Sequence, residues 1–182
     1  MYEVEVKVPA DLEAVRARLD ELEATPTGAV VQEDTYYDAP HRSFPETDEA
    51  LRIRTERAET GSDEVRLTYK GPLVDDASKT REEIETAVAS GEKIDTVLTK
   101  LGFEPAATVR KERERFELEK YTITLDSVEG VGEYVEIETN VDDEADLESA
   151  REGAYDVLER LGHDPDEQVR TSYLGLLLAD DA

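Results

Sequence analysis

The stretch Glu3-Val4-Glu5-Val6-Lys7-Val8 alternates charged and β-branched residues without a break. A period of two is the mark of a β-strand, whose successive side chains point to opposite faces. Glu3, Glu5 and Lys7 therefore share one face, and Val4, Val6 and Val8 share the other. A sheet with two carboxylates and an ammonium on one face has either a solvated surface or a polar cavity there. The later strands decide between the two.

The same alternation recurs along the chain. Arg52 and Arg54 alternate with Leu51 and Ile53, and Arg66, Thr68 and Lys70 with Val65, Leu67 and Tyr69. Arg81, Glu83 and Glu85 share a face, as do Lys111, Arg113 and Arg115. Thr122, Thr124 and Asp126 alternate with Ile123 and Leu125, and Glu136 and Glu138 with Val135 and Ile137. An ordinary sandwich with charges outward would show this pattern too. The sign of the charges argues against it. The chain has 21 Lys and Arg against 47 Asp and Glu, a formal charge of −26, yet about nine of the 21 bases fall on these strand faces. Positive charge gathered on strands of so acidic a protein fits an interior lined for a polyanion, with amphipathic helices over the apolar outer face.

The acidity also excludes partners. A field of that sign repels nucleic acid and anionic membrane surfaces. With Arg twice as common as Lys, it suits a surface adapted to a high-salt cytoplasm, where counter-ions screen self-repulsion. The chain has no Cys, so disulfides, thiolate catalysis and zinc–thiolate sites are out. No apolar run nears the ~20 residues of a membrane span, and the N-terminal segment lacks signal-peptide character. A soluble cytoplasmic protein is expected, and nothing excludes a homodimer.

Strands are expected near 2–8, 29–38, 50–57, 64–70, 80–88, 107–118, 121–127 and 133–139. Gly61-Ser62-Asp63 would join two of them, and Gly71-Pro72 would break the pattern after another. Tight turns fall at Glu119-Lys120 and Glu129-Gly130. Helices are expected near 10–24, 91–101 and 143–161, with a helical turn or two near 173–178. The 25–28 segment closes the first helix, and a polar loop surrounds Pro40 and Pro45. Mostly meandering strands imply an α+β fold, a closed eight-stranded antiparallel β-barrel with flanking α-helices. One domain is expected over residues 1–182.

Glu3 with Glu5, and Glu136 with Glu138, are carboxylate pairs on strand faces, with Asp126 on a neighbouring strand. Hard oxygen ligands of this kind suit Mg²⁺ or Mn²⁺ completed by water and phosphate oxygens. Divalent metal, polyphosphate and several Arg/Lys clamps together make the apparatus of phosphoryl transfer. His41 and His163, both in loop sequence, are given no catalytic role.

Glu3-x-Glu5-x-Lys7 resembles the N-terminal signature of the CYTH superfamily, the triphosphate tunnel enzymes. Gln32-x-Asp34-Thr35-Tyr36-Tyr37-Asp38, Ala50-Leu51-Arg52-Ile53-Arg54, Leu67-Thr68-Tyr69-Lys70-Gly71-Pro72, Lys111-x-Arg113 and the block from Leu125 to Glu138 extend the resemblance in the right order. The Gln32-x-Asp34-Thr35-Tyr36-Tyr37-Asp38 block and the final one, from Leu125 to Glu138, look most like the class IV adenylyl cyclase branch and its archaeal relatives. The resemblance implies a tunnel holding a triphosphate and a divalent metal. By position, Glu3, Glu5, Glu136 and Glu138 would be metal ligands, and Asp126 a ligand or an acid/base group. Glu5, Asp126 and Glu136 would be catalytic. Lys7, Arg52, Arg54, Lys70, Lys111 and Arg113 would bind phosphates, and Arg81 and Arg115 join them by strand parity. The expected substrate is ATP, converted to cyclic AMP and pyrophosphate. The alternatives are hydrolysis of inorganic, thiamine or nucleoside triphosphate, and non-catalytic binding of a polyphosphate or nucleotide.

Overall fold

Val4, Val6 and Val8 are fully buried, and so is Lys7 on the opposite face of the same strand. A strand covered on both faces, one aliphatic and one charged, needs two different interiors, and the architecture supplies them. In the computed structural model, which describes residues 1–58, 61 and 63–180, eight antiparallel strands close into a barrel. In chain order these are β1 (Tyr2–Pro9), β2 (Thr25–Asp38), β3 (Ala50–Ala58), β4 (Glu64–Leu73), β5 (Lys79–Ala87), β6 (Glu104–Leu118), β7 (Tyr121–Val128) and β8 (Gly132–Val141). Around the barrel they run β1-β5-β4-β3-β2-β6-β7-β8. Closure leaves no unpaired sheet edge, and the register sends the charged parity of every strand inward.

Over much of the barrel the outward parity is aliphatic and is covered by helices. α1 (Leu12–Glu21) and α4 (Leu147–Arg160) seal one side. Val15, Leu19, Ala154, Val157 and Leu158 pack there against Val6, Val8, Ile123, Leu125, Val135 and Ile137. Asp11 caps α1 by accepting from the Glu13 and Ala14 amides, and so satisfies donors that a helix start leaves open. Truncating the fully buried Leu158 to Ala would cost about 2–5 kcal/mol. Gly153 of α4 has a packing reason. A Cβ there would collide with the Tyr121 hydroxyl, which donates to the Ala150 carbonyl at 2.9 Å. On another side, α3 (Gly91–Lys100) lays Ile94 and Leu98 over Tyr37, Ile53, Leu51, Val65 and Leu67.

One end of the barrel is closed differently. Tyr36, Val109, Val128 and Tyr134 lie on the inward parity, and they pack against Tyr173, Leu174 and Leu177 of α5 (Tyr173–Asp180). The expected tail turns are thus a helix lying against the barrel mouth. Among the described residues no helix is long and apolar enough to cross a membrane.

The elements match the expected ones in order and kind, with shifted bounds. The 25–28 segment, expected to close the first helix, already belongs to β2, because the long β6 offers it partners from Phe116 to Glu117 across a register shift at Pro26/Gly28. Gly71-Pro72 does not end β4. The strand bulges between Lys70 and Leu73 and continues, as bulges allow where Pro would otherwise interrupt a ladder. A short helix α2 (Phe44–Thr47) stands in the expected polar loop. The β3–β4 connection expected at Gly61-Ser62-Asp63 lies partly outside the described residues.

Candidate active site

The inward side chains surround a cavity of about 620 Å³ along the barrel. Glu3, Glu5, Arg52, Arg54, Lys70, Arg81, Lys111, Arg113, Arg115, Glu136 and Glu138 all line it. The barrel register explains why residues far apart in sequence meet. Glu5 stands opposite Glu138 and Lys79, Lys7 opposite Glu136, Asp34 opposite Arg54, and Arg113 opposite Asp126. Directly opposed residues share a face, so each pairing places both residues on the inward face of the barrel.

One wall is cationic and organised by two buried aspartates. Arg54 grips Asp34 through Nε and Nη2, each at 2.7 Å. Lys111 Nζ lies 3.4 Å from Asp34 Oδ2, and Arg52 Nη1 lies 4.0 Å from it. Burial alone would raise the pKa of Asp34, but Lys111, Arg54 and Arg52 outweigh it and hold the carboxyl well below its ordinary value. On the neighbouring strands Arg113 holds Asp126 by two hydrogen bonds of 2.7 Å and reaches Glu136 Oε2 at 3.1 Å. Burial, with Arg113 and Arg54 nearby, pushes the Lys111 ammonium down to about 7.

The other wall is anionic. Glu3, Glu5 and Glu138 each place a carboxylate oxygen within 4.8 Å of the others. Burial raises the pKa of Glu138 well above its ordinary value, and the charge of Glu3 adds to this against the opposing pull of Arg113. Glu3 goes the other way: burial would raise it, but the charge of Lys70 together with hydrogen bonds from Glu83, Lys70 and Glu138 holds it well below its ordinary value. The donor set fits Mg²⁺ or Mn²⁺: three hard oxygens in reach of one point, and crowded negative charge that a divalent ion would relieve. Glu136 adjoins the cluster on β8, with Arg113 on one of its oxygens.

Several expected site residues hold structural partners. Lys7 donates to the Thr171 carbonyl at 2.7 Å and stands 4.1 Å over the Tyr173 ring, so its ammonium is turned to the C-terminal segment rather than to the cavity. Asp126 lies behind the wall, both oxygens taken by Arg113 and one also by the Tyr173 hydroxyl at 2.7 Å. Arg81 donates to the Asp48 and Gly71 carbonyls at 2.8 Å, pinning the segment before β3. Arg115 pairs with Glu56 at 2.9 Å. His41 and His163 are not among the cavity-lining residues.

Sequence reasoning passed over Asp34, Lys79, Glu83 and Tyr173. Asp34 lay inside a recognised block, and its inward parity beside Gln32 was a usable signal. Lys79 shares parity with Arg81 but sits at the strand's first position. Tyr173 reaches Asp126 from α5 through its hydroxyl, a contact no strand pattern marks.

The CYTH domain family model matches residues 1–173. The chain is 38% identical over 177 residues to a protein of Methanocaldococcus jannaschii named "Putative adenylate cyclase MJ0240", covering 97% of this chain and 98% of that one. The solved structure of PH1819 from Pyrococcus horikoshii superposes with a TM-score of 0.91 at 42% identity, over 97% of this chain and 98% of the other. HpAC1 from Hippeastrum, described as showing a dominant triphosphatase activity, shares the fold at a TM-score of 0.66 and 18% identity, over 98% and 95% of the two chains. Motif order, closed barrel and charged lumen agree with these comparisons: the chain belongs to the CYTH family.

Proposed function

We propose that this protein is a metal-dependent enzyme acting on a triphosphate, and that its reaction is the conversion of ATP to cyclic AMP and pyrophosphate. The observation that supports this reading is the division of one lumen into a cationic wall and a three-carboxylate cluster. A lumen for anion binding alone would gain nothing from Glu3, Glu5 and Glu138 beside the phosphate site. The near-full-length likeness to the M. jannaschii protein favours the cyclase over other triphosphate chemistry.

Glu3, Glu5, Glu138 and Glu136 would hold the metal, which when bound supplies charge neutralisation at the phosphoryl oxygens and acidifies an attacking hydroxyl. The chain's own residues bind and orient. Lys70, Arg52, Arg54, Lys111 and Arg113 face the phosphate chain and stabilise the charge that gathers on departing pyrophosphate. Asp34 and Asp126 are positioning residues, fixing Arg54 and Arg113 so that the guanidinium groups need not reorganise during reaction. With both its oxygens occupied, Asp126 serves in this scheme neither as base nor as metal ligand. In cyclisation the 3′-hydroxyl oxygen bonds to the α-phosphorus, its proton passes to water, and the bond from that phosphorus to the bridging oxygen of pyrophosphate breaks.

Hydrolysis at the terminal phosphorus is the second reading. The residues described bind phosphates rather than a base, so the same lumen would serve inorganic or thiamine triphosphate. Product analysis separates the two. Incubation with ATP, inorganic triphosphate and thiamine triphosphate at high salt, with Mg²⁺ or Mn²⁺, is expected to yield cyclic AMP and pyrophosphate from ATP. Orthophosphate without cyclic AMP would move the assignment to a triphosphatase.

A further inference from the structure

Two of the three carboxylates of the acidic cluster, Glu3 and Glu5, are held by lysines. Lys70 Nζ lies 2.8 Å from Glu3 Oε2 and 3.3 Å from Glu83 Oε2, and Lys79 Nζ lies 3.2 Å from Glu5 Oε1. Lys79 is in register with Glu5 across β1 and β5, which brings its ammonium to the lumen wall. Both lysine side chains are little exposed, at 14% and 12%, and both line the cavity.

A cation taking Glu3, Glu5 and Glu138 competes with these ammonium groups for the same lone pairs. The two lysines, once displaced inside a buried wall, need another anion, since an unpaired buried charge is costly. A triphosphate along the cationic wall supplies it. Conversely, a triphosphate that draws the lysines away leaves facing carboxylates unbalanced, and a cation restores the balance. Neither ligand alone completes the exchange. The pair of Arg113 with Asp126 differs, because it is bidentate and braced by Tyr173, and it stays in place.

We propose that Lys79, together with Lys70, exchanges partners on loading. Each clamps a metal-site carboxylate while the tunnel is empty and turns to a phosphate oxygen when it fills, so that metal and triphosphate bind with positive coupling. This rests on the triphosphate reading above, and it adds Lys79 to the phosphate-binding set. By linkage the coupling is reciprocal, each ligand tightening the other by the same factor.

The test measures Mn²⁺ binding by the free-ion paramagnetic resonance signal and binding of imidotriphosphate, a non-hydrolysable triphosphate, by calorimetry. Each is measured with and without the other, after correction for their complex in free solution. In the wild type each ligand should tighten the other roughly 5–150-fold. Lys79→Gln should bind Mn²⁺ alone at least about fivefold more tightly, since a competing charge is gone. It should also bind imidotriphosphate more weakly and show a reduced coupling factor. Lys70→Gln should do the same, and Lys93→Gln on α3 should match the wild type. A structural role for Lys79 would weaken both ligands together. If both ligands bind to the wild type without coupling, or if Lys79→Gln leaves Mn²⁺ affinity and coupling unchanged, the exchange is overturned while the triphosphate reading stands. If imidotriphosphate fails to bind at all, the triphosphate reading falls and takes the coupling with it.

Discussion

Arg113 and Asp126 face each other across β6 and β7 and are joined by two hydrogen bonds of 2.7 Å, with both side chains buried. Breaking such a pair leaves a buried charge without its partner, at a cost of about 3–5 kcal/mol. Asp126→Asn should therefore lower the urea-unfolding free energy by about that amount. Tyr173→Phe should cost less, about 1.5–3 kcal/mol, because it removes one hydrogen bond to the carboxylate and leaves the ion pair. Equal stability of Asp126→Asn and wild type would mean that the pair is dispensable.

Lys111 titrates near 7 because of burial first, then Arg113 and Arg54. A bound triphosphate would favour the charged ammonium, so binding should strengthen as pH falls from about 8.5 to 6. It should also take up a proton, measurable by calorimetry in buffers of different ionisation enthalpy. In Lys111→Arg, which stays charged throughout, the uptake should shrink to that of the triphosphate itself. For folding the sign is the reverse of the usual lysine case. The folded pKa lies below the unfolded one, so between about 7 and 10.4 the unfolded chain holds the extra proton and this group's contribution to stability rises with pH.

Glu138 is pushed the opposite way from an ordinary paired carboxylate, by burial and then by Glu3. Its folded pKa lies above the unfolded one, so its contribution to stability falls as pH rises from the unfolded value through the folded one. Glu138→Gln should flatten that part of the stability–pH curve in EDTA and raise stability at neutral pH, while weakening Mn²⁺ binding. A variant less stable than wild type in EDTA at pH 7 would contradict the like-charge account.

The lumen charges are largely paired, so the −26 resides mainly on the outer surface. Screening should relieve its self-repulsion, and the melting temperature should rise with KCl up to molar concentrations. A flat or falling curve would remove the argument for adaptation to high salt.

Much of the barrel was legible because strand parity is strict. A strand that alternates Glu3/Val4 through Lys7/Val8 and buries both Lys7 and the valines fits only between a charged interior and an aliphatic one, whereas β6 sends Lys111, Arg113 and Arg115 inward and leaves Glu112 and Glu114 on its outer face. What parity leaves out is register and the direction of side-chain tips. Lys7 has the right parity and position, yet its ammonium is claimed by the Thr171 carbonyl, a contact 164 residues distant in sequence. Asp126 likewise lies on the inward face, but Arg113 and Tyr173 close over it. Lys79 carries little parity signal, because a strand's first residue has no alternating neighbour before it to mark its face. Gly71-Pro72 signals a break locally, whereas pairing with β5 carries the strand past it through a bulge after Lys70.

Phosphoanhydride cleavage followed by ³¹P NMR bears most directly on the claim that a metal held by the carboxylate cluster works on a triphosphate in this tunnel. With Mg²⁺ or Mn²⁺ at high salt, the wild type should cleave ATP or inorganic triphosphate. EDTA should abolish the reaction, and Glu5→Gln and Glu136→Gln should each slow it by orders of magnitude while keeping the wild-type circular dichroism. Cleavage at the wild-type rate in EDTA, or in both variants, would contradict the account.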